Sequence, residues 1–187
     1  MVASCKHENM VKVVKWEKPI QPFLKLNADV ITKYPGKIGG GGILRYHQAN
    51  VIYAFTTALG FCTNKQAEIQ AASHGLHWCI QHSYKKIHFE VDSELVIKWP
   101  SNQAKPPWEL QQYTLELHRL MLKLKQLKYT HSYREANNTA DHLSKCSRNR
   151  HCLTFLHQGT TPYSCKRKLH ARQAWYGKLQ EKENEKN

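Results

Sequence analysis

Acidic side chains are scarce in this chain, 14 against 28 lysines and arginines, so the positions they take are informative. Asp29 closes the alternating run FLKLNAD and Asp92 closes KIHFEVD. Glu68 sits on one helical stripe with Ala72 and Leu76, which aims it inward, and Asp141 lies one turn into the helical stretch NNTADHLSK. Ends of neighbouring strands converge at one edge of a sheet, where open α/β proteins build their sites. A buried carboxylate without a partner is costly, and a cation offsets that cost. Four convergent carboxylates form a hard-oxygen site suited to Mg²⁺ or Mn²⁺ rather than zinc. Taken singly, each acid has an ordinary alternative: Asp29 a turn residue, Asp92 an N-cap, Glu68 a first-turn acid favouring the helix dipole, Asp141 a solvated helix acid. Only the four together point to metal chemistry.

The elements that must position them follow from periodicity. Leu24, Leu26 and Ala28 alternate with Lys25, Asn27 and Asp29, the period of a strand that ends at Asp29. KYPGKIGGGG reads as a turn followed by four glycines, and residues 43–46 and 51–59 as two further strands joined by a short polar turn, giving an antiparallel meander. Glycine weakens a strand, so Gly39 to Gly42 mark a close approach of backbone or nucleic acid; no Gly-Lys-Ser/Thr follows to make a P-loop. From Asn64, a plausible N-cap, the period becomes helical to about residue 82. Then come the strand KIHFEV, a short helix over 93–99, a break at KPPW, a long amphipathic helix over about 109–125, the strand LKYTHSY, and the last helix capped by Asn137 or Asn138. Trp99, Trp108 and Tyr113 are expected to pack under the long helix. The expectation is an α/β fold: a five-stranded mixed sheet, three antiparallel strands then two more, flanked by helices. Residues 1–15 form a basic lead, 16–147 one domain, and 148–187 a basic tail of low periodicity expected to be disordered.

The net charge of +14 over 187 residues calls for a polyanionic partner, nucleic acid foremost. No apolar run reaches the roughly 20 residues that span a bilayer, and no lipid signal or secretory leader is visible. The expectation is therefore an intracellular monomer, with no membrane partner and with its six cysteines as free thiols, since none form a CxxC pair.

The segments VKWEKPIQPFLKLNAD, PGKIGGGGILR, NKQAEIQAASHGLHWCI, FEVDSELVIKW and SYREANNTADHLSK, in that order, resemble the ribonuclease H family. The likeness is to the plant ribonuclease H-like type found alone or at the end of non-LTR retrotransposon polyproteins, and it covers about residues 14–147. It implies an RNase H-like fold and hydrolysis of the RNA strand of RNA/DNA hybrids, leaving a 3′-hydroxyl and a 5′-phosphate. The family's four metal-holding acids match Asp29, Glu68, Asp92 and Asp141. Two Mg²⁺ ions, replaceable by Mn²⁺, would then serve in-line attack, with Asp92 a central ligand, Asp29 bridging, Glu68 toward the leaving group and Asp141 toward the water. Asn64 and Gln66 become candidate readers of the 2′-hydroxyl, with N-cap and surface polar residue as their alternatives. Arg134 and Asn137 stand where other members carry a Gly-His loop, and His131 lies nearby, either aiding product release or simply satisfied within its strand.

The chain departs from the family pattern in three places. Val30 and Ile31 replace the usual Gly-Ser or Gly-Ala after the first acid, and a β-branched residue does not readily take a positive φ if that turn needs one. Tyr46 and Ala49 replace an Asp and a Gly in the turn after the second strand, and Pro100 stands where the short helix usually continues. The alternative to an active nuclease is accordingly a weak or inactive RNase H-like module, derived from a retroelement, that still binds nucleic acid. A zinc adaptor using His74, His77, Cys79 and His82 is a third reading, but one helix does not converge all four.

Overall fold

The computed structural model describes residues 14–33, 36–147 and 153–156. Strand β1 (Leu24–Lys33), β2 (Lys37–Arg45) and β3 (Val51–Phe61) form an antiparallel meander. Helix α1 (Asn64–Gln81) leads to β4 (Lys86–Val91), the single turn α2 (Leu95–Lys98), α3 (Gln111–Leu122), β5 (Gln126–His131) and α4 (Asn138–Cys146). Short 3₁₀ turns at Trp108–Leu110 and Arg134–Asn137 introduce α3 and α4. The sheet order is β5-β4-β1-β2-β3-β6, with β4 parallel to both β1 and β5.

All five expected strands are present, and a sixth joins them. β6 (Leu153–Leu156) pairs antiparallel with β3 at the sheet's edge, inside the stretch expected to be a disordered tail. Its four residues, LTFL, are too few to show a period, and the open ladder of β3 decides their pairing. Most of the basic lead and the rest of the tail lie outside the described residues.

β1 does not stop at Asp29. The β-branched Val30, Ile31 and Thr32 favour extended backbone, and they continue the ladder with Val30 opposite Gly40 and Ile31 opposite Gly39. Val30 has no positive φ, so the absent glycine is not missed there. The turn after β2 differs: Ala49 is held at φ 72°, with Ala49 N–H bonded to the Tyr46 carbonyl at 2.8 Å. Pro100 follows α2 in a turn rather than interrupting a helix, and its carbonyl lies 2.5 Å from His118 Nδ1.

Leu24, Leu26 and Ala28 face α1 and α3, where Ile69, Ala72, Leu76 and Cys79 meet Phe89, Leu117 and Leu120 in the main core. Trp99 belongs to it, whereas Trp108 is 78% exposed, contrary to expectation, because the 3₁₀ turn directs Leu110 inward in its place. The other sheet face carries α4, with Leu143 against Ile43, Val51 and Ala54. The four glycines are inside β2, not before it, and Gly39 and Gly41 serve this contact, whereas Gly40 and Gly42 face Ala71 and Phe55. A Cβ on Gly41 would lie 2.3 Å from Ser144 N and 2.6 Å from Leu143 C, both helix backbone atoms. No helix among the described residues is long and apolar enough to cross a membrane.

Two substitutions test these backbone constraints. Gly41→Ala is expected to destabilise the protein by on the order of 3 kcal/mol, because the helix itself must move. Ala49→Gly is expected to stabilise it by about 1 kcal/mol by relieving a left-handed residue. Both are read by urea unfolding followed by circular dichroism.

Candidate active site

Asp29 sits within β1 opposite Gly41, on the face that α4 covers. It is 5% exposed. Its Oδ1 accepts from the Val30 N–H at 2.7 Å, while Oδ2 is buried with no hydrogen-bond partner. Asp92 follows β4 directly and is half-buried. Glu68 is carried a little over one turn into α1, whose N-cap is Thr63 rather than Asn64: the Thr63 hydroxyl accepts from Gln66 N–H at 3.2 Å. These three acids line one narrow cleft with Ala28, Ala71, Val91, Ser93 and Val96.

Asp141 approaches from α4. It is outside that lining but acts electrostatically on both Asp29 and Asp92. Its oxygens are taken by two cations: Arg134 Nη2 donates to Oδ1 at 3.3 Å and Lys145 Nζ donates to Oδ2. Lys145 was not anticipated, although its place four residues after Asp141 is the spacing of a helical ion pair.

The electrostatics follow from this crowding. Burial raises the Asp29 carboxyl to about 7, with Asp92 and then Asp141 adding repulsion and the Val30 N–H opposing it. Burial also raises Glu68, against a hydrogen bond from Ser93, and it raises Asp92 against its own backbone bond and the charges of Arg134 and His131. Acids that resist ionisation in the free protein, one with an orphaned oxygen, fit a divalent cation by the chemistry of their donors. As the side chains stand, no three His, Cys, Asp or Glu among the described residues are grouped tightly enough to hold an ion.

The candidate nucleic-acid contacts divide. Asn64 is exposed at the start of α1, where its Oδ1 accepts from the Thr32 hydroxyl, and Gln66 is half-buried two residues before Glu68. The Arg134 side chain is 64% exposed, and its bond to Asp141 raises its already high pKa. Asn137 is 1% exposed and cannot contact a hybrid. The 3₁₀ turn folds it inward, so that its Nδ2 donates to the Ala28 carbonyl at 3.0 Å and ties the start of α4 to β1 beside Asp29. His131 Nε2 lies 2.9 Å from the Asp92 carbonyl, so its ring is satisfied. His74 instead meets the Tyr53 hydroxyl at 3.1 Å and His82 the Trp78 carbonyl at 2.9 Å, in keeping with a structural use of the α1 histidines.

A family described as reverse transcriptase-like matches residues 27–147. A "Putative ribonuclease H protein" of Arabidopsis thaliana is 27% identical over 134 residues, 71% of this chain but 22% of that relative's length. Among solved structures, RNase H1 from the halophilic archaeon Halobacterium salinarum superposes with a TM-score of 0.64 at 22% identity, covering 68% of this chain and 98% of that one. LC11-RNase H1 in complex with an RNA/DNA hybrid gives a TM-score of 0.59 at 21% identity, over 64% of this chain and 92% of that one. The fold is RNase H-like, with β6 added at one edge.

The raised Asp29 gives a pH signature. Between its ordinary 3.8 and about 7, the folded protein keeps a proton that the unfolded chain has lost. That stability is fully present below pH 3.8 and is lost as pH rises toward 7. In chelator, Asp29→Asn should therefore raise the Tm at pH 8 by on the order of 5 °C and change it little near pH 4, measured by calorimetry.

Proposed function

Because the chain belongs to the reverse transcriptase-like family, matched over residues 27–147, we propose that its RNase H-like domain is a divalent-metal-dependent endonuclease for the RNA strand of RNA/DNA hybrids. The observation that carries this reading is the cleft shared by Asp29, Glu68 and Asp92, with Asp29 Oδ2 buried and unpartnered. Asp29, Glu68 and Asp92 would hold Mg²⁺ or Mn²⁺, with Asp141 completing the set once released by its cations. Such ions supply charge neutralisation at the phosphate and a water that ionises near neutral pH.

The chain's own groups do the rest. The three cleft acids come from β1, α1 and the end of β4, all anchored in the main core, so the donors are held by rigid elements. Arg134, exposed and bonded to Asp141, is placed to meet a backbone phosphate beside the cleft. Asn64 lies exposed at the first turn of α1, a position from which a side-chain amide can reach a 2′-hydroxyl. The net charge of +14 draws a polyanion to a site that is itself acidic. An intracellular, retroelement-derived chain fits this substrate, and because the Arabidopsis relative is much longer, the domain would serve as one module of a larger polypeptide there.

A second reading, a hybrid-binding module without turnover, draws support from Asp141. Both its oxygens are engaged by Arg134 and Lys145, away from the cleft lining.

The deciding assay incubates the protein and its Asp92→Asn variant with a hybrid labelled on the RNA, in Mg²⁺, Mn²⁺ or EDTA. The expected result is metal-dependent RNA cleavage, reduced at least about a thousandfold in the variant. Hybrid binding by folded protein with no cleavage in either metal selects the second reading.

A further inference from the structure

β1 and β4 deliver Asp29 and Asp92 to one cleft, yet their parallel ladder ends at Asn27 opposite Glu90, two residues short of both acids. Beyond that rung the two strands have no backbone pairing to hold them in register. At the rung itself, Glu90 joins the strands through its side chain. Its Oε2 accepts from Asn27 Nδ2 at 2.7 Å and its Oε1 from Lys25 Nζ at 3.1 Å. Thr130 of β5 adds a looser bond to Oε1 at 3.4 Å. Trp16 covers the group, donating Nε1–H to Asn27 Oδ1 at 3.1 Å, with its ring centroid 5.2 Å from Lys25 Nζ.

Lys25 is 1% exposed and Glu90 8%. A buried ion pair is a poor way to add stability, since apolar residues of similar volume do as well or better. What charges add is direction: a carboxylate with donors on three sides has one orientation, whereas an apolar contact tolerates a slip. Alternation places Lys25, Asn27 and Asp29 on the same face of β1, and Glu90 precedes Asp92 by two residues. The polar group is thus the rung immediately behind the acids.

We propose that Lys25, Asn27 and Glu90 form a positioning clamp that sets the separation of Asp29 and Asp92, and through it the affinity of this edge for a divalent cation. The proposal rests on the reading of the edge as a cation site. The clamp residues touch no reacting atom; they act through the two acids, as the supporting bonds behind metal ligands do.

The test measures Mn²⁺ binding by isothermal titration calorimetry on the full chain without substrate. The paired variant Lys25→Met with Glu90→Leu removes both charges together and is expected to fold, while binding Mn²⁺ about tenfold more weakly. The pair Lys25→Met with Glu90→Gln keeps an acceptor for Asn27 and is expected to regain most of that loss, which a merely volume-filling role would not produce. Should the first pair fail to fold, Asn27→Leu removes the 2.7 Å bond alone and is expected to weaken binding severalfold. Unchanged Mn²⁺ affinity in a folded clamp variant overturns the proposal and leaves the cation site standing. Absence of Mn²⁺ binding by the unaltered protein, against Asp92→Asn as the blank, overturns both.

Discussion

Helix α4 lies on the bare backbone of β2, and the position of Asp141 depends on that contact. A helix normally rides on side chains, with 8–10 Å between packed helix axes; here glycines remove them where Ser144 and Leu143 come down. The strand accepts a loss of intrinsic stability for this, since glycine in a strand interior weakens it. Side chains around it restore order. Leu143 plugs the pocket formed by Ile43, Val51 and Ala54, and Asn137 bonds across to the backbone of β1. The helix is consequently fixed in height and in register beside Asp29.

That proximity creates an electrostatic problem. Asp29, Glu68, Asp92 and Asp141 are brought into a region poor in water, and the first three resist ionisation there. The fold manages the charge unevenly. Asp141 is neutralised by two cations, Arg134 and Lys145, whose side chains are 64% and 42% exposed. Asp29 keeps an oxygen without any partner. Glu90, by contrast, is bonded to Lys25 and Asn27 in the interior and does not face the cleft. The acids are therefore divided: Glu90 and Asp141 have cationic partners, whereas Asp29 keeps a buried oxygen that no donor reaches.

Much of this could be read from the chain. Period-two alternation announces β1, β4 and β5, the longer period announces α1 and α3, and inward placement of Glu68 marks it as unusual. The readings that changed are those that depend on what lies across space. β1 runs on past Asp29 because β2 offers a continuous ladder; four residues become β6 because β3 has an open edge; Trp108 is exposed because Leu110 takes the inward position. Asn137, a candidate nucleic-acid contact by its place in the sequence, is instead a buried strut, since its side chain bonds to the Ala28 carbonyl.

Residue type and spacing alone gave away the α/β class and the order of its main elements and singled out four acids as candidates, because periodicity and the placement of scarce carboxylates are local properties of the chain. Tertiary structure decided which acids share the cleft, which cations quiet Asp141, and that Lys25 and Asn27 are joined to Glu90 from 65 and 63 residues away. Those outcomes belong to contacts between distant segments, and burial, which sets both the price of a charge and the identity of its partner, exists only once the segments have met.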